Sequence, residues 1–276
     1  MGSGCSKTRR PASVETKTIT FPGIPQEIIV IDEILGHLAV DSAVVSLRSC
    51  SLVSKSWVQP CQRHLFHTVI FASNYVDRWL KMFPELEESP ARRVRDLRIL
   101  IGGHNRVPEK IFECIPWFTN TQSLSLLGYW GSPLLQIPSV WGLPQSITSL
   151  TVNTNVVTLV QIRDIMAQLP NLNNLSLSGF LLPVDARSLV GIGVTLKGRF
   201  GGQLKLCGGY VREDATNMLL EIPTGLHFTE VQIRCTHKCL PSTVRLVEAC
   251  GETLVKLSQT ITFQGKCHPF SQSPWP

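Results

Sequence analysis

Seven histidines and nine cysteines are the side chains best suited to metal binding or nucleophilic chemistry in this chain of 276 residues. Cys235-Thr-His237-Lys-Cys239 comes nearest to a metal-ligand spacing. A structural zinc site needs four such ligands, and no second pair stands at the required spacing. Val231, Ile233 and Cys235 also alternate as the buried positions of a strand do. No metal is therefore expected. His37, His64, His67, His104, His227, His237 and His268 share no spacing that builds a common site. Lys55 reads as a solvated face residue, since nothing near it in sequence would depress its pKa. The chain has no nucleophile elbow, no H-E-x-x-H, no paired cysteine motif and no phosphate-binding glycine loop. No cofactor and no enzymatic activity are expected. One modification motif stands out. Met1-Gly2-Ser3-Gly4-Cys5-Ser6 fits the N-myristoylation pattern at Gly2, with Cys5 as a palmitoylation candidate. Lys7, Arg9 and Arg10 supply charge for an anionic lipid surface, the second signal a single acyl chain needs. An ordinary disordered tail matches such a short motif equally well.

The elements that would carry any site come from the rest of the pattern. Hydrophobic residues make up 43% and charged residues 17%, enough apolar content for a packed core. The net charge of +6 is spread along the chain rather than gathered in an aromatic-studded basic stripe, so nucleic acid is not expected as a partner. The apolar runs are too short for a transmembrane helix, and no signal-peptide core opens the sequence. With cysteines odd in number and irregular in spacing, a reduced intracellular location follows, cytoplasmic or nuclear, or peripheral to a membrane through the N-terminus.

Residues 1–20 are polar, basic and without periodicity. From Pro25 a helix is expected, with Ile24, Ile28, Ile31, Leu35 and Leu38 on one face. Asp41-Ser42 offers a cap for a second helix through Val44, Val45 and Leu47. A third contains Trp57 and the Leu65-Phe66 pair, with Pro60 expected to kink or restart it. Trp57 and Leu65-Phe66 should hold this small unit together. The alternative is that the segment is a buried corner of the main domain.

The order and spacing of Ile24-Pro25, Glu27-Ile28-Ile29, Ile34-Leu35, Leu38, Leu47, the block Cys50-Ser51-Leu52-Val53-Ser54-Lys55-Ser56-Trp57 and Leu65-Phe66 resemble an F-box of the type common in fungi. The likeness covers roughly residues 22–68. It implies docking on the Skp-type subunit of a cullin-RING ubiquitin ligase, an SCF complex. The contacting positions it carries over are Pro25, Ile28, Ile34, Leu35, Leu47, Cys50, Leu52, Val53 and Trp57. One departure stands in the first helix, where Val30-Ile31 is inserted between Ile29 and Asp32. Two residues turn a helix by roughly 200°. Either Ile31 joins the apolar face and the face survives, or docking is damaged.

Beyond this unit an apolar-x-x-Leu-x-Leu segment recurs. Its middle positions, Leu97, Leu124, Leu150, Leu175, Leu204, Val231 and Leu257, lie 27, 26, 25, 29, 27 and 26 residues apart. That is a leucine-rich-repeat period. Thr121 breaks the pattern, Phe200 comes one residue early, and no asparagine ladder is visible. Helical patterns over 108–118, 156–170, 211–223 and 241–251 fill the gaps, and the Gly-rich stretch 191–209 reads as turns. The predicted architecture is α/β: a basic tail (1–20), a three-helix F-box-like domain (21–70), a connecting helical segment (71–93), an irregular leucine-rich-repeat solenoid with a parallel sheet (94–264) and a tail (265–276). No polar cap is visible at the end of the array, so exposed apolar edges and a shortened family member are expected.

Residues flanking the repeat leucines point to the opposite sheet face: Asp96, Arg98, Ser123, Ser125, Ser149, Thr151, Asn174, Ser176, Gln203, Lys205, Glu230 and Gln232. From these, Arg98, Ser125, Thr151, Ser176, Lys205 and Gln232 are the candidate contacts for a protein substrate. A reader of phosphorylated segments would want an arginine cluster, which is lacking. The implied role is a non-enzymatic substrate adaptor, with a ligase-independent interaction scaffold, membrane-tethered through Gly2, as the alternative.

Overall fold

The computed structural model describes residues 26–40, 44–72, 75–101, 110–128, 142–154, 157–179, 200–207, 213–222 and 225–262. Two compact units divide at His64 and Leu65.

The first unit contains α1 (Gln26–Val40), α2 (Val44–Cys50) and α3 (Lys55–Leu65, which ends at the division). Helix α1 runs unbroken through Val30-Ile31. Ile31 and Leu35 are buried while Val30 and Ile34 are exposed, so the helix has put Ile31 on its inner face. Leu47 and Cys61 are buried as well. Pro60 lies inside α3 and is buried. The helix continues through it rather than restarting, with one backbone donor missing. The cap expected at Asp41-Ser42 lies outside the described residues.

The second unit is a sheet of eight parallel strands in chain order: β1 (Thr68–Phe71), β2 (Asp96–Ile101), β3 (Ser123–Gly128), β4 (Ser149–Asn153), β5 (Asn174–Ser178), β6 (Phe200–Cys207), β7 (Leu226–Thr236) and β8 (Lys256–Thr262). Between them stand α4 (Tyr75–Met82), α5 (Lys110–Cys114), α6 (Leu159–Ala167), α7 (Glu213–Leu220) and α8 (Leu240–Ala249). The repeat leucines form one register row, Val69–Leu97–Leu124–Leu150–Leu175–Leu204–Val231–Leu257. A 25–29-residue period in sequence thus becomes a straight apolar line in space. The row begins one strand earlier than the repeat pattern reaches: Thr68–Phe71 pairs with β2 and belongs to the sheet.

Phe66, expected to staple the three helices, instead lies in the second unit. It stacks edge-on to Trp79 at 6.2 Å and to Phe83 at 6.4 Å, and Phe71 and Phe118 complete this aromatic cluster beside the first strands. Ring pairs of this geometry add to the gain from burial.

Two irregularities in the repeat have physical causes. Thr121 is fully buried, and its hydroxyl reaches the Val94 carbonyl, so a polar residue is tolerated at an apolar position. The glycine-rich stretch does not form only turns. Gly201 and Gly202 lie within β6, where the register to β7 shifts between Gly202 and Gln203. Gly202 has φ +78, and a Cβ there would stand 2.5 Å from the Asn173 carbonyl oxygen. Only glycine fits this bulge.

The missing asparagine ladder is replaced by a mixed one. Asn120 donates to the Arg92 carbonyl (2.7 Å), Ser146 to Thr119 (2.8 Å), Asn171 to Gln145 (2.8 Å), Thr229 to Gly202 (3.1 Å) and Thr253 to Phe228 (3.2 Å). Each reaches back 25–28 residues, one repeat. The side chains satisfy carbonyls at the strand entrances that the ladder of strand hydrogen bonds leaves over.

Candidate functional sites

In the helical unit, α1 and α3 are tied by Asp32. Arg63 donates to its carboxylate at 2.8 Å, and His64 Nε2 stands 3.9 Å away. Between α2 and α3 the chain is held by Ser51 N–H to Leu47, Leu52 N–H to Ser49 and Val53 N–H to Cys50, all within 3.1 Å. The side chains of Leu52 and Val53 therefore stand out from a hydrogen-bonded turn, 87% and 67% exposed. Ile34, Val44 and Val45 are exposed as well. Five apolar side chains in water on so small a unit are a standing cost, each regaining about 1.5–3 kcal/mol if fully buried.

The nine docking positions implied by the resemblance separate into groups. Ile34, Leu52 and Val53 are exposed; Cys50 and Trp57 are half-buried. Leu35 and Leu47 are buried, 0% and 3% exposed, and belong to the interior of the helical unit. Pro25 and the side chain of Ile28 lie outside the described residues, as do Gly2 and Cys5. Val44 and Val45, which the sequence did not mark as outward-facing, are both exposed, although the i, i+3 spacing to the buried Leu47 would place Val44 inside. Burial pushes the Cys61 thiol upward, with a smaller contribution from Cys50.

In the sheet unit, two register rows cross the face opposite the leucines. One runs Thr68–Asp96–Ser123–Ser149–Asn174–Gln203–Glu230–Lys256; the other runs Ile70–Arg98–Ser125–Thr151–Ser176–Lys205–Gln232–Ser258. Ends and middle differ. Arg98 pairs with Asp96 at 2.7 Å, and Lys256 lies 3.6 Å from Glu230, which also accepts from Gln203 at 3.3 Å. Between these pairs the face consists of hydroxyls and amides with one ammonium, that of Lys205. Ser149, Thr151, Asn174, Ser176, Gln203 and Lys205 line a shallow depression of about 170 Å³. Gln203, Glu230, Gln232, Lys256 and Ser258 line a second, of about 190 Å³. The structure thus brings Thr151, Ser176 and Lys205 together, puts Gln232 in the next depression and leaves Arg98 apart in its ion pair. Ser125, flanked in register by Arg98 and Thr151, is only 8% exposed. Lys256 and Ser258 were missed, although each stands one residue from the last repeat leucine.

Cys235 is buried on β7 while His237 and Cys239 lie on the following 3-10 turn. Among the described residues no group of three or more His, Cys, Asp or Glu side chains could hold a metal ion, and no helix is long and apolar enough to cross a membrane. No protein-family model and no curated protein matches the chain.

Proposed function

We propose that the chain is a substrate-recognition adaptor of a Skp-cullin-F-box ubiquitin ligase. The helical unit would dock on the Skp-type subunit, and the leucine-rich sheet would hold a protein substrate on its polar face. The adaptor then works by proximity, raising the effective concentration of substrate lysines at the conjugating enzyme without chemistry of its own. The observation that carries the reading is the outward set Ile34, Leu52 and Val53, which coincides with docking positions of the resemblance and is exposed while Ile31, Leu35 and Leu47 fill the interior. The substrate face is polar and nearly neutral, which suits hydrogen bonding to an extended segment better than capture of a highly charged one.

The test is co-purification of the full chain with a Skp-type subunit, wild type against Leu52→Asp/Val53→Asp. Both side chains are exposed, so the change leaves the fold intact while placing charges at an apolar interface. The expected cost is about 3–4 kcal/mol, a loss of affinity on the order of 10²–10³-fold. A folded wild type that does not bind refutes the adaptor role and makes a ligase-independent scaffold the better account.

A further inference from the structure

The last strand carries a second, separate surface. β8 pairs with β7 along its whole length, Lys256 to Thr262, and no strand among the described residues pairs with its other edge. In the apolar row the residues from Val69 to Val231 are buried, yet Leu257 is 46% exposed; Ile261 and Val255 are also exposed. Natural edge strands are blunted by charge, proline, a bulge or shortness. The opposite edge strand, β1, has only four residues. β8 has seven, without proline or glycine, and its only charge is Lys256 at the start.

The sequence Lys-Leu-Ser-Gln-Thr-Ile-Thr is close to self-complementary about Gln259. Laid antiparallel on a second copy of itself with Gln259 opposite Gln259, it sets Leu257 against Ile261, Ser258 against Thr260 and Lys256 against Thr262. On the core-side face Leu257 meets Ile261 on either side of a central Gln259 pair, and on the other face Ser258 meets Thr260 while Lys256 meets Thr262. The two Lys256 residues stand six positions apart, about 20 Å, well beyond the screening length at physiological salt. A shift of one residue would set apolar against polar side chains on both faces. A twofold axis closes the contact on itself, whereas addition of β8 to β1 of another copy would propagate without end.

We propose that β8 is a homodimerisation edge, pairing antiparallel with β8 of a second copy about a twofold axis at Gln259, so that two eight-stranded sheets become one. This reading is independent of the ligase role. The contact covers Leu257 and Ile261 and adds a ladder of backbone hydrogen bonds between the two edges.

Sedimentation velocity of the full chain across roughly 0.5–100 μM tests it, with Gln259→Lys and Gln259→Glu run separately and mixed. Gln259 is exposed, so neither variant disturbs the core. The wild type should dimerise. Each variant opposes like charges across the axis and should weaken the dimer about tenfold or more, while the equimolar mixture should recover it as a heterodimer. A wild type monomeric throughout, variants that dimerise like wild type, or a mixture that fails to recover would each overturn the proposal.

Discussion

Gly201 and Gly202 stand side by side in β6, and alanine should act on them in opposite directions. At Gly202 the backbone has φ +78, a conformation that costs an L-residue about 1–2 kcal/mol. The new methyl would lie 2.5 Å from the Asn173 carbonyl oxygen and 2.6 Å from its side-chain oxygen. Asn173 cannot yield freely, because its N–H donates to Thr148 at 2.7 Å and ties β5 to the repeat before it. Loosening that bond adds roughly 1 kcal/mol, for a total of about 2–3 kcal/mol. At Gly201 the nearest atom to an added methyl is Asn173 Oδ1 at 3.4 Å, an ordinary contact. Alanine there restricts the unfolded chain and should stabilise by about 0.4–1 kcal/mol. Urea unfolding followed by circular dichroism reads both. With a slope of about 2 kcal/mol/M, the two midpoints should differ by about 1 M or more, on either side of wild type. Equal losses for both variants would mean that the bulge is not at Gly202 and that the explanation of the irregular repeat fails.

The mixed ladder gives a second contrast. Ser146→Ala removes a hydroxyl that lies 2.8 and 2.7 Å from the Thr119 and Thr121 carbonyls, and should cost about 1–2 kcal/mol, whereas Ser149→Ala on the open face should stay within about 0.5 kcal/mol in the same urea assay. Burial pushes the Cys114 thiol up to about 12 from 9.0, and those of Cys61 and Cys250 upward as well. Above pH 9 the unfolded chain releases these protons and the folded chain keeps them. Stability should therefore be insensitive to these thiols below about pH 9 and fall from there towards 12, with a shallower fall in Cys114→Ala; identical slopes from pH 9 to 10.5 would refute the assignment.

Legibility followed periodicity. Seven leucine-type positions picked out by a spacing of 25–29 residues lie in one register row, because a strict row in space requires only one strand per repeat, whatever fills the interval. The first strand was not legible. Thr68–Phe71 follows a helix directly, and its apolar residues read equally well as the end of that helix. Phe66 was misassigned for a related reason: a Leu-Phe pair at a helix end has apolar neighbours on both sides, and only the ring contacts with Trp79 and Phe83 decide which it joins. In the helical unit the spacing told which residues of α1 share a face but not which of the apolar residues in α2 and the following turn lie outside. Leu47 and Leu52 are both leucines, and burial separates them completely. On the open sheet face alternation identified the rows, while the burial of Ser125 in the middle of that face is not contained in any alternation rule.

The leucine row and the two polar rows lie on opposite sides of the same strands, at alternate positions. What keeps the sheet together is therefore written in different residues from those a ligand would meet. Exchanging Thr151, Ser176 or Lys205 for other polar residues leaves the apolar row, the mixed ladder and the bulge untouched. Under the proposed adaptor role, a lineage of such chains could change its substrate one side chain at a time, at small cost in stability, and the record of those changes would be concentrated at every second strand position.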